Sequence, residues 1–183
     1  MTDYILHLYD LPSAESIVVS TRRIGVEIRR AMGPEKRAVC GWVEREFEVL
    51  SWVSECEISF ARVPVSCFIA IAGGAVIGFH CYEATCRGFT GPGGIAREFR
   101  GRGIYLALLA ETMKAMQVEG YAYAIVGSPN EATVRAFRKL YGSALVEVPG
   151  SDPGWLRGMV RPRPPEGLDT KSENGYAPDL DRG

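Results

Sequence analysis

The hydrophobic pattern divides the first third of the chain into one strand and several helical segments. Apolar and polar residues alternate loosely over residues 3–11, which predicts a first β-strand. Pro12 and Ser13 follow it and favour the start of a helix. Residues 14–47 carry apolar side chains at helical spacings, which predicts two helices. Residues 52–60 fit a helix and a strand equally well.

Two β-prone runs then stand on either side of a pair of glycines. Residues 66–72 and 75–83 flank Gly73 and Gly74. Because glycine readily adopts the positive φ angles of a tight turn, the pattern predicts a β-hairpin. Another strand is predicted over residues 89–96.

The strand predicted over residues 89–96 has an unusual centre, the sequence Gly-Pro-Gly-Gly at positions 91–94. Glycine and proline are poor strand formers. This composition indicates a bulge, or a place where another group closely approaches the backbone.

A long helix dominates the second half of the chain. Leu109, Met113 and Met116 fall on one stripe, and Gly120 is a natural helix stop, so we predict a helix over residues 104–120. Further predicted elements are a buried strand over 121–126, a capping box at Ser128–Glu131 opening a helix to about Leu140, a strand over 144–148 and an edge strand over 155–160.

Composition and charge limit the class of protein. The 183 residues are 46% hydrophobic and carry a net charge of −1, which predicts one globular domain over residues 1–161 with no global field for nucleic acid. Residues 162–183 are rich in proline, glycine and charge, and we expect a disordered or extended tail there. The broken apolar runs predict no transmembrane span, and we expect a cytoplasmic protein.

Five cysteines contain no Cys-x-x-Cys pair, and their odd number leaves one unpaired in any disulfide scheme. We therefore expect free thiols. Only two histidines could add to them, so we expect no metal site.

The segment 97–109 joins an arginine- and glycine-rich turn directly to an apolar helix. A helix start presents unpaired N–H groups and partial positive charge, and Gly101 and Gly103 would let an anion approach closely. Arg100 and Arg102 would add charge-assisted hydrogen bonds. The spacing fits neither a Walker loop nor a dinucleotide-binding loop, in which a third glycine would replace Leu106. A solvated basic turn is the alternative interpretation.

The spacing Arg-x-x-Gly-x-Gly/Ala resembles the pyrophosphate loop of the GNAT superfamily of acyl-CoA-dependent N-acyltransferases. The resemblance covers about residues 66–148. It implies an α/β (α+β) fold with a central mixed, mostly antiparallel sheet of six to seven strands, a splayed strand pair and about four flanking helices. It also implies acetyl-CoA or another acyl-CoA as co-substrate, with no metal. The residues that would bind it are Ile95, Ala96, Arg97, Arg100, Gly101, Arg102, Gly103, Ile104, Tyr105 and Asn130.

Two positions depart from the family pattern. Tyr105 stands where the loop usually has glycine or alanine, so its ring would either crowd the pyrophosphate or lie against the adenine. Phe137 stands where the family often has a tyrosine acid. Tyr141 lies one turn later on the same helix face and is the candidate substitute, with a core tyrosine as the alternative.

The remaining candidates concern the acceptor amine. Glu83, at the end of a strand, is the predicted general base, with Glu57 and His80 as weaker candidates and a solvated carboxylate as the alternative. His80 and Cys81 are adjacent strand residues and so point to opposite faces. The predicted acceptor pocket consists of Trp52, Cys56, Glu57, Tyr82 and Thr85.

The sequence therefore predicts an N-acyltransferase that moves an acyl group, most simply acetyl, from coenzyme A to a primary amine of a small molecule or peptide by direct attack. One alternative is an aminoacyl-tRNA-dependent acyltransferase, with Tyr105 stacked on a base. The other is a non-catalytic domain that binds acyl-CoA or a partner. A homodimer is compatible with each of them.

Overall fold

A computed structural model describes residues 2–152, which contain one seven-stranded sheet and five α-helices. The strands are β1 (Tyr4–His7), β2 (Val26–Arg30), β3 (Cys67–Ala72), β4 (Ala75–Tyr82), β5 (Phe89–Ile95), β6 (Tyr123–Val126) and β7 (Leu145–Glu147). The helices are α1 (Glu15–Arg23), α2 (Lys36–Phe47), α3 (Leu50–Ser59), α4 (Ile104–Val118) and α5 (Glu131–Tyr141).

The strand order in the sheet is β2-β3-β4-β5-β6-β1-β7. Neighbouring strands run antiparallel except β5 and β6, which are parallel. The N-terminal strand thus lies between two strands from the end of the described chain. This mixed, mostly antiparallel sheet confirms the predicted fold class, with five helices instead of about four.

Helices cover both faces of the sheet and create two cores. One core joins α1, α4 and α5 to the sheet and includes Leu108, Leu109 and Met113, none of which has any exposed surface. The other joins α2 and α3 to the opposite face and includes Val43, Phe47 and Phe79. Each face of the central strands is therefore buried, which explains why β3 and β4 read as nearly continuous apolar runs.

The predicted hairpin is confirmed, because β3 and β4 pair across Gly73 and Gly74, both with positive φ. The prediction of two helices over residues 14–47 is wrong in one respect, since strand β2 lies between α1 and α2. Val26 and Ile28 are buried while Glu27 is exposed, as expected for a strand with one face in solvent. Residues 52–60 lie mainly in α3.

The capping box predicted at Ser128 is wrong, because α5 begins two residues later. Asn130 is its N-cap, and the side-chain oxygen accepts a hydrogen bond from the Thr133 N–H at 2.8 Å. Ser128 has φ of 44° and donates its backbone N–H to Asp3 Oδ1 at 2.7 Å. The bond to Asp3 anchors the turn after β6 to the N-terminal strand.

None of the helices within residues 2–152 has both the length and the apolar character needed to cross a membrane. The predicted edge strand at 155–160 and the predicted tail at 162–183 lie outside the described residues.

Candidate functional site

Strand β5 begins beside the end of the parallel strand β6 and continues past it. Their ladder consists of Phe89 with Ile125 and Thr90 with Val126, although β5 continues to Ile95. On its other side β5 stays paired with β4 as far as Ile95. β6 ends at Val126, so beyond Thr90 this edge of β5 has no ladder partner, and residues 91–94 along it are half-buried. We call the region along this edge the cleft.

A β-bulge lies in β5 directly after Thr90, where the ladder with β6 ends. His80 pairs with Gly93 and Tyr82 pairs with Thr90, so two residues of β5 stand opposite the single residue Cys81. Such a two-against-one count bends the bulged strand. The bulge that the Gly-Pro-Gly-Gly sequence predicted is thus present, and it lies where the ladder between β5 and β6 ends.

Side chains packed on the two faces of the sheet explain why two positions in β5 must be glycine. A Cβ atom on Gly93 would lie 2.2 Å from Cδ2 of His80, and one on Gly94 would lie 2.5 Å from Cζ of Phe47. Real Cβ atoms do not approach other atoms so closely. Glycine at these positions therefore allows His80 on one face and Phe47 on the other to pack over the strand.

The arginine- and glycine-rich loop connects the end of β5 to the start of α4. Arg100 donates from Nε to the carbonyl oxygen of Ile95 at 3.2 Å, and Arg102 donates to the carbonyl oxygen of Glu98 at 3.2 Å. Gly103 is the N-cap of α4 with φ of 76° and offers no side-chain cap. The first amides of a fifteen-residue helix thus remain available to an anion beside two guanidinium groups.

Tyr105 lies in the first turn of α4 with its ring packed inward. Its centroid is 5.8 Å from that of His80 in an edge-on contact, and burial raises the pKa of Tyr105 to about 12 despite a side-chain hydrogen bond with Thr133 of α5. The ring is therefore part of the packing between β4, α4 and α5. This position gives no support to a ring stacked on adenine or on an RNA base.

Two buried side-chain polar atoms within residues 2–152 have no hydrogen-bond partner: Nδ1 of His80 and Oγ1 of Thr90. The two side chains are 2% and 7% exposed. Both belong to the strands that form the bulge, and burial lowers the pKa of His80 to about 3, so the imidazole is neutral. Because buried polar groups normally have partners, this pair marks the bulge as a place for a polar ligand group.

Both carboxylate oxygens of Glu83 accept hydrogen bonds. Oε1 accepts a hydrogen bond from the Gly88 N–H, and Oε2 accepts one from Nη1 of Arg62 at 3.0 Å. Its side chain is 5% exposed and its φ is 57°. These contacts hold the β4–β5 turn, so Glu83 has a structural task that competes with its predicted role as a base.

Sequence reasoning missed Glu55. Burial raises the pKa of this carboxyl group, and a hydrogen bond from the Thr85 hydroxyl opposes the shift in part. Glu55 and Thr85 lie where α3 covers the connection that leads into β5. A signal existed: if residues 52–60 are taken as a helix, Trp52, Glu55, Cys56 and Ser59 share one stripe, so Glu55 is a carboxylate on the inward face.

The structure brings together only part of the predicted acceptor pocket. Trp52 is half-buried, with its ring 5.1 Å from that of Phe47, and Thr85 is bonded to Glu55. Glu57 is exposed on the outer side of α3. Trp52 and Thr85 are therefore the predicted pocket residues that could contact an acceptor, together with Glu55, to which Thr85 is bonded.

The prediction of an acceptor-pocket role is wrong for two residues, Cys56 and Tyr82. Cys56 has no exposed surface and lies among other thiols in the core beneath α2 and α3. Tyr82 also has no exposed surface and lies in the opposite core, where its hydroxyl donates to Glu119 and accepts from Arg30 at 2.7 Å. Their burial excludes both from an open acceptor pocket.

The predicted substitute acid is also a core residue. Tyr141 is 6% exposed, its ring lies 6.3 Å from that of Phe137, and burial raises its pKa above the usual value. A tyrosine held in this way has no route to a leaving group. The structure favours the core interpretation of Tyr141.

The cofactor-binding candidates fall into two groups around the cleft. Ile95 ends β5, Ala96 follows it, and both are buried. Asn130 is the N-cap of α5, and its amide oxygen is used as the helix cap. The loop and helix-start group comprises Arg97, Arg100, Gly101, Arg102, Gly103, Ile104 and Tyr105, of which Ile104 and Tyr105 pack into the core.

Several solved structures share this architecture. A GCN5-related glucosamine N-acetyltransferase region of a fungal multi-domain β-N-acetylglucosaminidase superposes with a TM-score of 0.64 and 16% identity, covering 80% of this chain and 19% of that one. A GCN5-related N-acetyltransferase from Sphaerobacter thermophilus gives 0.59 and 22%, covering 80% and 48%. A polyamine N-acetyltransferase from Drosophila melanogaster gives 0.52 and 13%, covering 63% and 81%.

The class that the architecture defines is thus the GNAT fold. The chain spans only about a fifth and about half of the first two proteins. No protein-family model matches the sequence, and no curated protein matches it significantly.

Proposed function

We propose that this protein is an N-acyltransferase that transfers an acyl group, most simply acetyl, from coenzyme A to a primary amine. The observation that carries the proposal is the edge of β5 beyond Thr90, which has no ladder partner on the side of β6 and leads directly into the arginine- and glycine-rich start of α4. An extended amide-containing arm and a pyrophosphate joined end to end require such a pair of sites. The shared fold supports the same class of reaction.

The residues present fit an acyl-CoA donor. The edge of β5 beyond Thr90 offers main-chain groups to an added extended segment, as in β-strand addition. Arg100, Arg102 and the first amides of α4 would hold the pyrophosphate. The donor supplies a thioester, whose thiol has a pKa of roughly 8.5 and leaves readily without a dedicated acid.

His80 and Thr90 would contact the part of the donor that lies at the bulge. A neutral imidazole nitrogen and a hydroxyl can each pair with an amide or a carbonyl, and both are held in place by packing. Thr90 is the last residue paired with β6, so its hydroxyl lies where the cleft begins. The polar atoms without partners thus acquire a function in orienting the donor.

Glu55 is the better candidate for the group that receives a proton from the acceptor ammonium. Its raised pKa makes it a stronger base than an ordinary carboxylate, and its hydrogen bond with Thr85 fixes its position. Glu83 remains the candidate that the sequence favoured, but Arg62 and the Gly88 amide occupy its oxygens. The attacking amine would then approach from the side of α2 and α3.

The acceptor is expected to be a small amine. Among the structures with this fold, one is a glucosamine N-acetyltransferase region and another is an enzyme that forms N-acetylagmatine. Trp52 beside the carboxylate of Glu55 would suit a cationic or aliphatic amine. The alternative of a tRNA donor relied on Tyr105 as a stacking platform, and the inward position of that ring leaves it without support.

Isothermal titration calorimetry with acetyl-CoA tests the donor site directly. We expect saturable binding by the full chain and much weaker binding by Arg100→Ala. Absence of detectable binding of acetyl-CoA and of longer acyl-CoAs would overturn the proposal.

Transfer itself is measured with radiolabelled acetyl-CoA across a panel of agmatine, polyamines, glucosamine and short peptides. The label avoids thiol reagents, which would also react with the exposed Cys86. Binding without transfer to any amine would instead support the non-catalytic alternative.

A further inference from the structure

Four of the five cysteines converge in one core. Cys40 comes from α2, Cys56 from α3, Cys67 from β3 and Cys81 from β4, and all four are buried. Cys67 and Cys81 are direct partners in the antiparallel ladder, so their side chains share the face that α2 and α3 cover. We call these four residues the thiol cluster.

The sulfur atoms of the thiol cluster lie close together. Those of Cys56, Cys67 and Cys81 are all within 4.8 Å of one another, and Sγ of Cys40 is 3.6 Å from Sγ of Cys56. In a tetrahedral zinc site with Zn–S bonds of about 2.3 Å, neighbouring sulfur atoms are roughly 3.8 Å apart. The sulfur atoms of Cys56, Cys67 and Cys81 are thus close to the spacing of three corners of a metal tetrahedron, and a side-chain rotation of Cys40, already beside Cys56, would supply the fourth.

The donor set is composed of sulfur alone. Sγ of Cys81 also contacts Oγ of Ser59 at 3.6 Å, and the other neighbours in this core are mainly apolar, including Val39 and Phe79. Thiolates prefer soft closed-shell cations such as zinc, whereas magnesium and calcium require oxygen ligands. The geometry points to a binding site for a thiophilic divalent d10 cation, which we propose for Cys56, Cys67 and Cys81 with Cys40 as the fourth ligand.

Binding would exchange protons for metal. Each ligating thiol loses its proton to solvent and forms a sulfur–metal bond, with no change of oxidation state. Affinity should therefore rise with pH.

The site would act on the fold rather than on the chemistry. An ion held by the thiol cluster would tie α2 and α3 to the central hairpin β3–β4. Because the four thiols are enclosed only when these elements have packed, the ion would enter during folding. The sequence gives no spacing signal for such a site, because its ligands come from four separate elements.

The test is refolding of the full chain from denaturant with Cd²⁺ and a phosphine reductant, followed by gel filtration. We expect one retained Cd²⁺ per chain by elemental analysis, sulfur-to-cadmium charge-transfer absorption in the ultraviolet and a raised Tm. The exposed Cys86 lies outside the thiol cluster, so Cys86→Ser is the matched control and should retain all three signals.

Cys67→Ser and Cys40→Ala should each lose or weaken the absorption, and circular dichroism checks that they fold. If the ligand variants do not fold, the wild-type chain decides alone: folding with no retained Cd²⁺ overturns the proposal. Loss of the signal in Cys86→Ser would also overturn it, because binding would then be at the surface. A disulfide between Cys40 and Cys56 after aerobic purification, with no Cd²⁺ bound on refolding, would show a redox pair instead.

Discussion

Arg100 makes one contact within the chain at the start of α4, and in the proposed function it makes a second one with the donor. Its Nε already bonds to the carbonyl oxygen of Ile95, which leaves the outer nitrogens for a phosphate. We predict that Arg100→Ala raises the KM for acyl-CoA by about ten- to hundredfold, the loss of one charge-assisted hydrogen bond. Steady-state kinetics measure it.

Gly103→Asp should have a similar effect, because it places a carboxylate and a strained positive φ at the same helix start. Arg22→Ala, on the exposed end of α1, is the control and should leave KM unchanged. Equal KM values in all variants would show that the loop does not bind pyrophosphate.

Substitution of the two candidate bases, Glu55 and Glu83, should affect different quantities, kcat in one case and stability in the other. Glu55→Gln should lower kcat by about a hundredfold with little change in the KM for the donor, since a positioned base contributes that much to proton transfer. In the wild type, kcat/KM should fall at low pH as Glu55 is protonated, at a pH above that of an ordinary glutamate because burial raises the pKa of Glu55.

Glu83→Gln should act on stability instead. It breaks a bond between a 5% exposed carboxylate and Arg62, which we expect to cost about 1–3 kcal/mol in urea unfolding. Its kcat per folded molecule should stay near that of the wild type. If Glu83→Gln instead lowered kcat and Glu55→Gln lowered only stability, Glu83 would be identified as the base.

His80 makes the stability of the protein dependent on pH. The pKa of His80 is about 3 in the folded chain, against about 6.5 for an exposed imidazole, so only the unfolded chain binds a proton between these values. Stability attributable to His80 is constant above pH 6.5 and decreases as the pH falls toward 3, by about 1.4 kcal/mol per pH unit. The loss should be absent in His80→Asn, compared by urea unfolding at pH 7.5 and 5.5.

At the scale of the element, strand β5 is shaped by what packs over it. Gly93→Ala would place a methyl group 2.2 Å from the His80 ring and 3.1 Å from the carbonyl oxygen of Phe79. We predict a loss of about 1–3 kcal/mol in the free energy of unfolding, the usual cost of overpacking. Gly41→Ala in α2 is the matched control.

A Cβ on Gly41 meets only the mobile end of Arg45 at 3.3 Å, and alanine favours the helix, so this variant should be neutral or more stable. The double variant Gly93→Ala, His80→Ala should recover part of the loss. An undiminished loss in the double variant would place the conflict in the backbone rather than at the His80 ring.

At the scale of the whole molecule, the N-terminal strand closes the sheet. β1 lies between β6 and β7, and Leu6, opposite Ala124 and Leu145, has no exposed surface. We predict that Leu6→Asp lowers the free energy of unfolding by more than about 4 kcal/mol, because it buries an unpaired charge in the centre of three strands.

His7→Thr, at the exposed position next to it, should change stability by less than about 0.5 kcal/mol. Chemical denaturation followed by circular dichroism compares the two. A mild effect of Leu6→Asp would mean that β1 is not required to hold β7 in the sheet.

Local patterns predicted much of this architecture. The Gly73–Gly74 turn, the long apolar helix α4 and the bulged strand β5 were all visible, since each depends on residues that are neighbours in the chain. β2 was missed because Val26 and Ile28 are its only buried residues and lie next to a helical pattern. Short edge strands carry too few apolar positions to stand out.

The part of the candidate site that is contiguous in the sequence was predictable, and the part that the fold assembles was not. The loop from Arg100 to Gly103 is contiguous, so its helix-start geometry followed from the sequence. Glu55, Thr90 and His80 could not be ranked in that way, because their significance comes from burial and from missing or altered partners. Cys56 and Tyr82 were misplaced for the same reason, since the choice of core depends on which helix covers which face.

The sequence by itself determined the order of most elements, the turn chemistry and the arginine- and glycine-rich loop that opens α4, since these depend on periodicity and on glycine and arginine at fixed spacings. Only the tertiary structure decided that β1 enters the sheet between β6 and β7, that Tyr105 packs against His80 and that four cysteines meet in one core. Those contacts join residues far apart in the chain. Their free energy comes from burying surfaces against each other, and no local pattern records which surfaces will meet.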